Sequence, residues 1–464
     1  MSVLDIPALG PSGPYRTRKR STVTDASGTP ALELALVPGL VATDWTDRLR
    51  GSAPPPAAET TAVLAKAADV FEHQDVLGDD LAAHEQRVAR LTGTPITVVR
   101  ECDRMISAAL RDACRAPDAA RPQGCSPPGT PAADAPPAGA AWCRAGDVLA
   151  VQAAGNSPGV HALWPEALAL GYRVAVRPSQ RDPLTPLRLV LALRRAGLPD
   201  DRLVLVPCEH ATADLLVDRA DRAVVYGGQA VVDRYRHRAN VRVQGPGRSK
   251  LVVASDADRA AGLELARTGA LYHAGTACTA TTGVLVERDV TEFAGALAAA
   301  LAGVRPAPPE DDAAVLPCLP LEQAEHLAAT VLQRAADAGA TVRLAPRAHP
   351  LDGPGTLSAV TPAVVELPAA RHPLLGLELP FPCVWVAPFD RAATDSLDDS
   401  LVLSLHTAEP ALLDQALGNP SVSNVYRGRP TSWTHPDVPH DGFLGEFLMR
   451  AKGLARADEK RSDT

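Results

Sequence analysis

The sequence predicts an α/β protein made of two doubly wound parallel-sheet domains. Two observations carry this: short apolar strands alternate with amphipathic helices over residues 147–226, and a second alternating series begins at Leu251, after a Gly-rich turn. Strand, helix and strand at this spacing place helices on both faces of a parallel sheet. Such sheets take ligands beyond the carboxyl ends of their strands.

The elements follow in order. The first twenty residues mix Pro and Gly with the basic cluster Arg16-Thr17-Arg18-Lys19-Arg20 and lack the apolar stretch of a secretory leader. From Thr60 to Ala116 apolar residues fall three and four apart (Leu64, Ala67, Val70, Phe71, then Leu81, His84, Val88, Leu91), which predicts helices with buried faces. Between Pro117 and Ala140, Pro, Gly, Ala and Asp crowd together without periodicity, predicting an exposed or partly disordered insertion. Strands are predicted at 147–151, 172–176, 203–206 and 223–226, with helices at 161–170, 184–196 and 214–219 between them. The second series has strands at 251–254, 283–287, 341–344, 363–366, 384–387 and 401–404, and helices at 260–270, 292–302 and 321–338.

Composition excludes several classes. The chain has 464 residues, 46% hydrophobic and 22% charged, enough for two or three domains with sizeable cores. A net charge of -8 leaves no general basic face, so nucleic acid is not an expected partner. No stretch approaches the roughly 18 apolar residues that span a bilayer. The eight cysteines are scattered, with no CxxC pair or His-rich spacing, which predicts free thiols, no metal site and a cytoplasmic protein. A small-molecule substrate is the default expectation.

Cys278 is the most informative residue. It sits in Gly275-Thr276-Ala277-Cys278-Thr279 between a helix and a strand, among small neighbours in a polar loop where N–H groups can stabilise a thiolate. A thiol there can attack a carbonyl carbon; a small buried cysteine is the plainer account. In Ala154-Gly155-Asn156-Ser157-Pro158 an amide follows a strand and precedes a helix, which suits either an oxyanion donor or a helix cap. Arg177-Pro178-Ser179 closes the next strand, within reach of the ribose of an adenine dinucleotide. Gly227-Gly228 opens a helix whose free N–H groups could face pyrophosphate. Gln244-Gly245-Pro246-Gly247-Arg248-Ser249-Lys250 joins the two series, and Glu378-Leu379-Pro380-Phe381-Pro382 places a carboxylate before a stiff turn, where it could hold a ribose hydroxyl.

As an ordered set these segments resemble the aldehyde dehydrogenase superfamily over about residues 145–445. Asn156 with Pro158 is similar to that family's Trp-Asn-x-Pro turn, Arg177-Pro178-Ser179 to its Lys-Pro-Ser, and Gly227-Gly228 to its Thr-Gly-Ser turn. Gly275 to Cys278 resembles its Gly-Gln-x-Cys nucleophile loop, residues 244–258 its Glu-Leu-Gly-Gly-Lys stretch, and Glu378 to Pro382 its Glu-x-Phe-Gly-Pro turn. Gln244 precedes Cys278 by 34 residues, the family's usual separation.

The resemblance implies an aldehyde dehydrogenase-like fold with a Rossmann-like NAD(P)-binding domain (1–116 and 142–245, with N-terminal helices), a Pro-rich insertion (117–141), a catalytic domain (246–445) and a polar tail (446–464). The insertion occupies part of the place of the family's oligomerising hairpin, and the C-terminal tail is polar. It also implies Cys278 as nucleophile, Asn156 and the Cys278 N–H as oxyanion donors, and NADP or NAD held by Arg177, Ser179, Gln180, Gly227, Gly228, Gly245, Glu378 and Phe381. A homodimer or tetramer is the family-level expectation.

The departures are informative. Hydrolytic members place Glu at the position of Gln244 to activate water, and an amide cannot act as a general base. Gln244 therefore points to the CoA-acylating and acyl-CoA reductase branches, where a thiol of CoA or a carrier protein replaces water; their Gly-rich turn resembles Gly245-Pro246-Gly247. Pro439 to Leu444 and the general pattern also resemble actinobacterial proteins of phenazine antibiotic biosynthesis, implying secondary metabolism. Gln180 stands where NAD-preferring members carry Glu, which with Arg177 nearby favours NADP. Thr276 replaces the usual Gln. His273 and His440 are further acid/base candidates: either, within reach of Cys278, would restore hydrolysis and ordinary aldehyde oxidation. A catalytically silent relative would instead turn Asn156 from the thiol or fill the cleft.

Overall fold

A computed structural model describes residues 3–456 except 54–56, 132, 137, 352–355 and 436. Uninterrupted Val, Leu and Ala runs need cover on both faces, and five of them lie side by side in parallel. In spatial order these are Val241–Gln244, Arg222–Tyr226, Val148–Gln152, Arg173–Arg177 and Leu203–Leu205. Ala8–Gly10 and Gly13–Tyr15 extend this sheet antiparallel. A small separate sheet pairs Pro30–Ala35 with Leu4–Ile6 and Arg20–Thr24. These N-terminal strands precede the predicted helices and were not expected. They are three to six residues long and broken by Pro and Gly, too short for a period to emerge.

The second sheet orders Thr341–Leu344, Ala363–Glu366, Cys383–Pro388, Gly283–Val286, Lys250–Val253, Ser400–His406 and Val422–Arg427. All neighbours are parallel except the first pair. Val422–Arg427 alternates partly exposed and buried positions at the sheet's edge and was not expected from its mixed polarity. Gln244 ends an edge strand of the first sheet and Lys250 opens a central strand of the second, so residues 245–249 run between the two domains.

Local signals set the helix ends. Asp80 accepts from the Ala83 amide at 2.8 Å to start Leu81–Thr92, and Gly93, at φ 69°, ends it in the left-handed conformation. His84 is buried as its spacing predicts, and burial pushes its imidazole down to about 3, with Arg188 next in effect. Arg188, 1% exposed on helix Leu184–Ala196, donates twice to the Phe71 carbonyl and once each to the Gln74 and Asp79 carbonyls. It thereby closes the ends of the N-terminal helices onto the first domain. Arg188→Ala is expected to strand these carbonyls and cost about 3 kcal/mol or more, read as a lower urea midpoint.

The insertion and tail are more ordered than their composition implies. Cys125–Ser126 pairs with Ala138–Arg144, and Met449–Ala455 pairs antiparallel with Ala138–Arg144 along seven residues. Cys125 and Ala135 are buried. Backbone pairing is indifferent to the polarity of Arg450 and Lys452, which is why a polar stretch still makes a strand. Residues 132 and 137 of the insertion and 457–464 of the tail lie outside the described residues. Among the described residues no helix is long and apolar enough to cross a membrane.

Candidate active site

Helix Arg259–Leu271 ends in a sharp reversal. His273, Ala274 and Gly275 all take positive φ, at 46°, 59° and 71°. A Cβ on Gly275 would sit 2.5 Å from the Pro382 nitrogen, so only glycine lets this loop lie against the Phe381-Pro382 backbone. The reversal presents Cys278 to the Gly-rich turn. Ser249 Oγ donates to the Cys278 carbonyl at 2.8 Å, and the bare Cα of Gly247 lies against that same carbonyl. Glu378 fixes the turn from the other side, its carboxylate accepting from the Gly247 and Arg248 amides at 2.7 and 3.0 Å. Leu401 N donates to Gly247 O at 2.7 Å.

The half-buried Cys278 Sγ lies 3.3 Å from His440 Nε2. Burial pushes the thiol up to about 12, with the negative charge of Glu378 adding to the effect. The Cys278 and Thr279 amides act in the opposite direction, but more weakly than burial, so the resting group is a thiol and not the expected thiolate. The crowding of protein around His440 pushes its imidazole below the ordinary range, and Asp441 opposes this. His273 has a separate environment: buried, stacked on Tyr272 at 4.0 Å, and 3.5 Å from Glu101.

Asn156 reaches the nucleophile loop two residues before the thiol. Its Nδ2 donates to Thr276 O at 2.9 Å. One N–H of the amide is thus committed to holding the loop. Thr276, where the family has Gln, donates its hydroxyl to His273 O at 2.7 Å, with Asn156 O at 3.2 Å.

The expected cofactor residues divide into two groups. At the end of strand Arg173–Arg177, the Arg177 Nε is buried without a partner and its Nη2 reaches only the Cys208 carbonyl, at 3.5 Å. Ser179 is partly buried and Gln180 exposed beside it. An orphaned guanidinium nitrogen flanked by a hydroxyl and an amide suits ribose or phosphate oxygens. Gly228 is exposed, and a Cβ there would meet nothing within 4 Å.

Other residues serve the fold. A Cβ on Gly227 or Gly245 would strike Val231 or Val232, at 2.5 and 2.7 Å, so both glycines are explained by packing of the short helix Gln229–Tyr235. Phe381 corrects an expectation: it is 1% exposed in the core of the second sheet, where no ligand reaches its ring. Glu378 also serves the fold, since its Oε1 accepts from two backbone amides. Gln244 stands at the strand end, its carbonyl accepting from Gly227 N at 3.1 Å.

Sequence reasoning missed Ser249 and Arg248. Arg248, at φ 47°, donates to Gln229 Oε1 at 2.6 Å and pairs with Asp399 at 3.4 Å, spanning both domains. No signal in a single sequence marks either. Asp69, Glu72 and His73 come within ligating distance of one another on the surface, but Arg111 binds both carboxylates.

Known proteins are similar to this chain in sequence and in fold. The aldehyde dehydrogenase family model matches residues 151–402. A mitochondrial aldehyde dehydrogenase of Leishmania tarentolae is 32% identical over 133 residues, 27% of each chain. Aldehyde dehydrogenase 1A1 of Homo sapiens is 29% identical over 146 residues, 29% of each. The matched stretch thus spans less than a third of these relatives' own length. Among solved structures, an indole-3-acetaldehyde dehydrogenase complexed with NAD+ superposes with a TM-score of 0.81, covering 97% of this chain and 96% of that one at 19% identity. An NAD+ complex of an aldehyde dehydrogenase from Bacillus cereus gives 0.80 at 16% identity, with the same coverage of both chains. With the family model covering the first-domain strands, the Gly-rich turn, Cys278 and Glu378, this chain belongs to the aldehyde dehydrogenase family.

Proposed function

We propose that this protein uses NAD(P)H to reduce an activated acyl group, carried as a thioester of CoA or a carrier protein, to an aldehyde through covalent capture on Cys278. The observation that carries the reading is the turn packed against the backbone of Cys278: it begins with Gln244, an amide, and its nearby carboxylate, Glu378, has Oε1 held by two backbone N–H groups. Neither is suited to activating water. The site instead favours exchange between two thiols. Arg177, Ser179 and Gln180 would hold the adenosine end of the cofactor, and the free cation of Arg177 with no acidic neighbour at 180 favours the 2'-phosphate of NADP. When bound, the nicotinamide supplies the hydride. Asn156, with one N–H still unassigned, would donate to the acyl oxygen. A place in secondary metabolism, a cytoplasmic setting and assembly into dimers or tetramers belong to the same proposal, the last through the Met449–Ala455 edge.

Incubation with NADPH and a panel of acyl-CoA thioesters is expected to consume cofactor and release aldehyde and free CoA in equal amounts. Turnover should be slower with NADH, and Arg177→Ala should narrow that difference. A second reading is favoured by the imidazole beside Cys278: oxidation of an aldehyde to its acid, with His440 activating water. Acid formation from aldehyde and NAD(P)+ in the absence of any thiol acceptor would establish that reading and exclude the first.

A further inference from the structure

We infer that His440 is the catalytic proton partner of Cys278, delivered by the C-terminal loop and supplying the base that the amide of Gln244 cannot. The inference deepens the covalent-cysteine reading above and rests on it for the identity of the substrate, though not for its test.

The pair is built and held. His440 Nε2 faces Sγ at 3.3 Å, and with its proton on Nδ1 the ring accepts from the thiol. The loop carrying it is pinned from both domains. From the second sheet, Asn424 Nδ2 donates to the His440 carbonyl and, at 3.0 Å, to Leu401 O. Ser423 Oγ reaches the Asp441 carboxylate at 3.5 Å. From the first sheet, Arg242, two positions before Gln244 on the same strand, donates to Phe443 O at 3.0 Å. Contacts at position 440 and just after it, at Asp441 and Phe443, hold the ring beside the sulfur. His440 also keeps solvent exposure, so a proton taken from the thiol can exchange with water.

The chemistry balances. His440 Nε2 takes the thiol proton as Sγ bonds to the thioester carbonyl carbon, and the imidazolium returns that proton to the departing thiolate, which leaves as free thiol. After hydride addition from the reduced nicotinamide the carbon–Sγ bond breaks, aldehyde leaves, and the Cys278 thiolate takes a proton that reaches it from solvent through His440. One thioester, one NAD(P)H and one proton give one aldehyde, one thiol and one NAD(P)+. Among the groups around the pair, Glu378 and Asp441 disfavour a free thiolate, and Tyr226 and Tyr272 lie near the sulfur as neutral phenols pushed up by burial. Asp441 favours a charged His440.

The test is alkylation of Cys278 by iodoacetamide in the intact protein, followed by peptide mass spectrometry from pH 6 to 10, in wild type, His440→Ala and His440→Gln. Both variants are expected to alkylate about tenfold more slowly or worse near pH 7. The gap should narrow as pH rises, and added imidazole should restore part of the rate in His440→Ala alone. Folded variants that alkylate at the wild-type rate throughout overturn the inference; if the alanine protein does not fold, the glutamine protein decides. Alkylation needs neither thioester nor cofactor. Slowed alkylation without thioester reduction upholds the pair and removes the reductase reading, whereas reduction with unchanged alkylation does the reverse.

Discussion

Cys278→Ala is expected to abolish turnover with every acyl or aldehyde substrate, by at least about four orders of magnitude, and to leave the fold intact. The Cys278 side chain meets His440 Nε2 at 3.3 Å and the nearby Cys278 and Thr279 amides, none of which the fold depends on. The loop is held by bonds the substitution does not touch: Ser249 Oγ to the Cys278 carbonyl, Asn156 to the Thr276 carbonyl, and Gly275 against Pro382. Intact-mass spectrometry after exposure to an acyl thioester should show one acyl adduct on wild type and none on the variant. Melting temperatures should differ little. Substantial residual turnover in the variant would mean that the chemistry does not pass through this sulfur, and would end the covalent reading altogether.

The second large effect is expected at a residue with no chemistry of its own. A Cβ on Gly247 would fall 1.9 Å from the Cys278 carbonyl oxygen and 2.7 Å from its carbon. Main-chain atoms cannot rotate away as a side-chain end can. The turn cannot retreat either, since Glu378 holds its amide and Leu401 its carbonyl. Gly247→Ala must therefore push the nucleophile loop out of register. A displacement on the order of 1 Å costs about a hundredfold in rate, and the strain about 1–3 kcal/mol in stability. The contrast is Gly295, exposed in helix Val290–Ala302 with nothing within 4 Å of its missing Cβ. Gly295→Ala should leave activity unchanged and stabilise by about 0.5–1 kcal/mol. Equal behaviour of the two variants in thermal denaturation and turnover would contradict the steric account.

The extent to which the sequence disclosed this molecule depends on the length scale of each signal. The central strands and long helices were legible because their apolar runs persist: Val148–Gln152, Arg173–Arg177 and Leu184–Ala196 fall within one or two residues of the predicted ends. Leu4–Ile6 and Gly13–Tyr15 were not, because three residues carry no period, and their partners lie far away in sequence. In the site, Cys278, Asn156 and the Gly-rich turn could be found from local motifs. Their partnerships could not. His440 stands 162 residues from the thiol, and Ser249 looks like any serine until folding lays it against the nucleophile's carbonyl. Phe381 was located but misread, because a motif marks a place in the chain and burial decides what the side chain there can touch.

The pairing of Ala138–Arg144 with Met449–Ala455 has a consequence for how the chain is made. The earlier strand leaves the ribosome about 300 residues before its partner, and closing a loop of that length has an entropic cost that local structure does not face. Until then the far edge of Ala138–Arg144 is open to any strand that comes near, including the same strand of another nascent chain. Protein released before residue 449 is translated should therefore associate through that open edge, and its recovery from cells should depend on chaperones far more than that of the full chain.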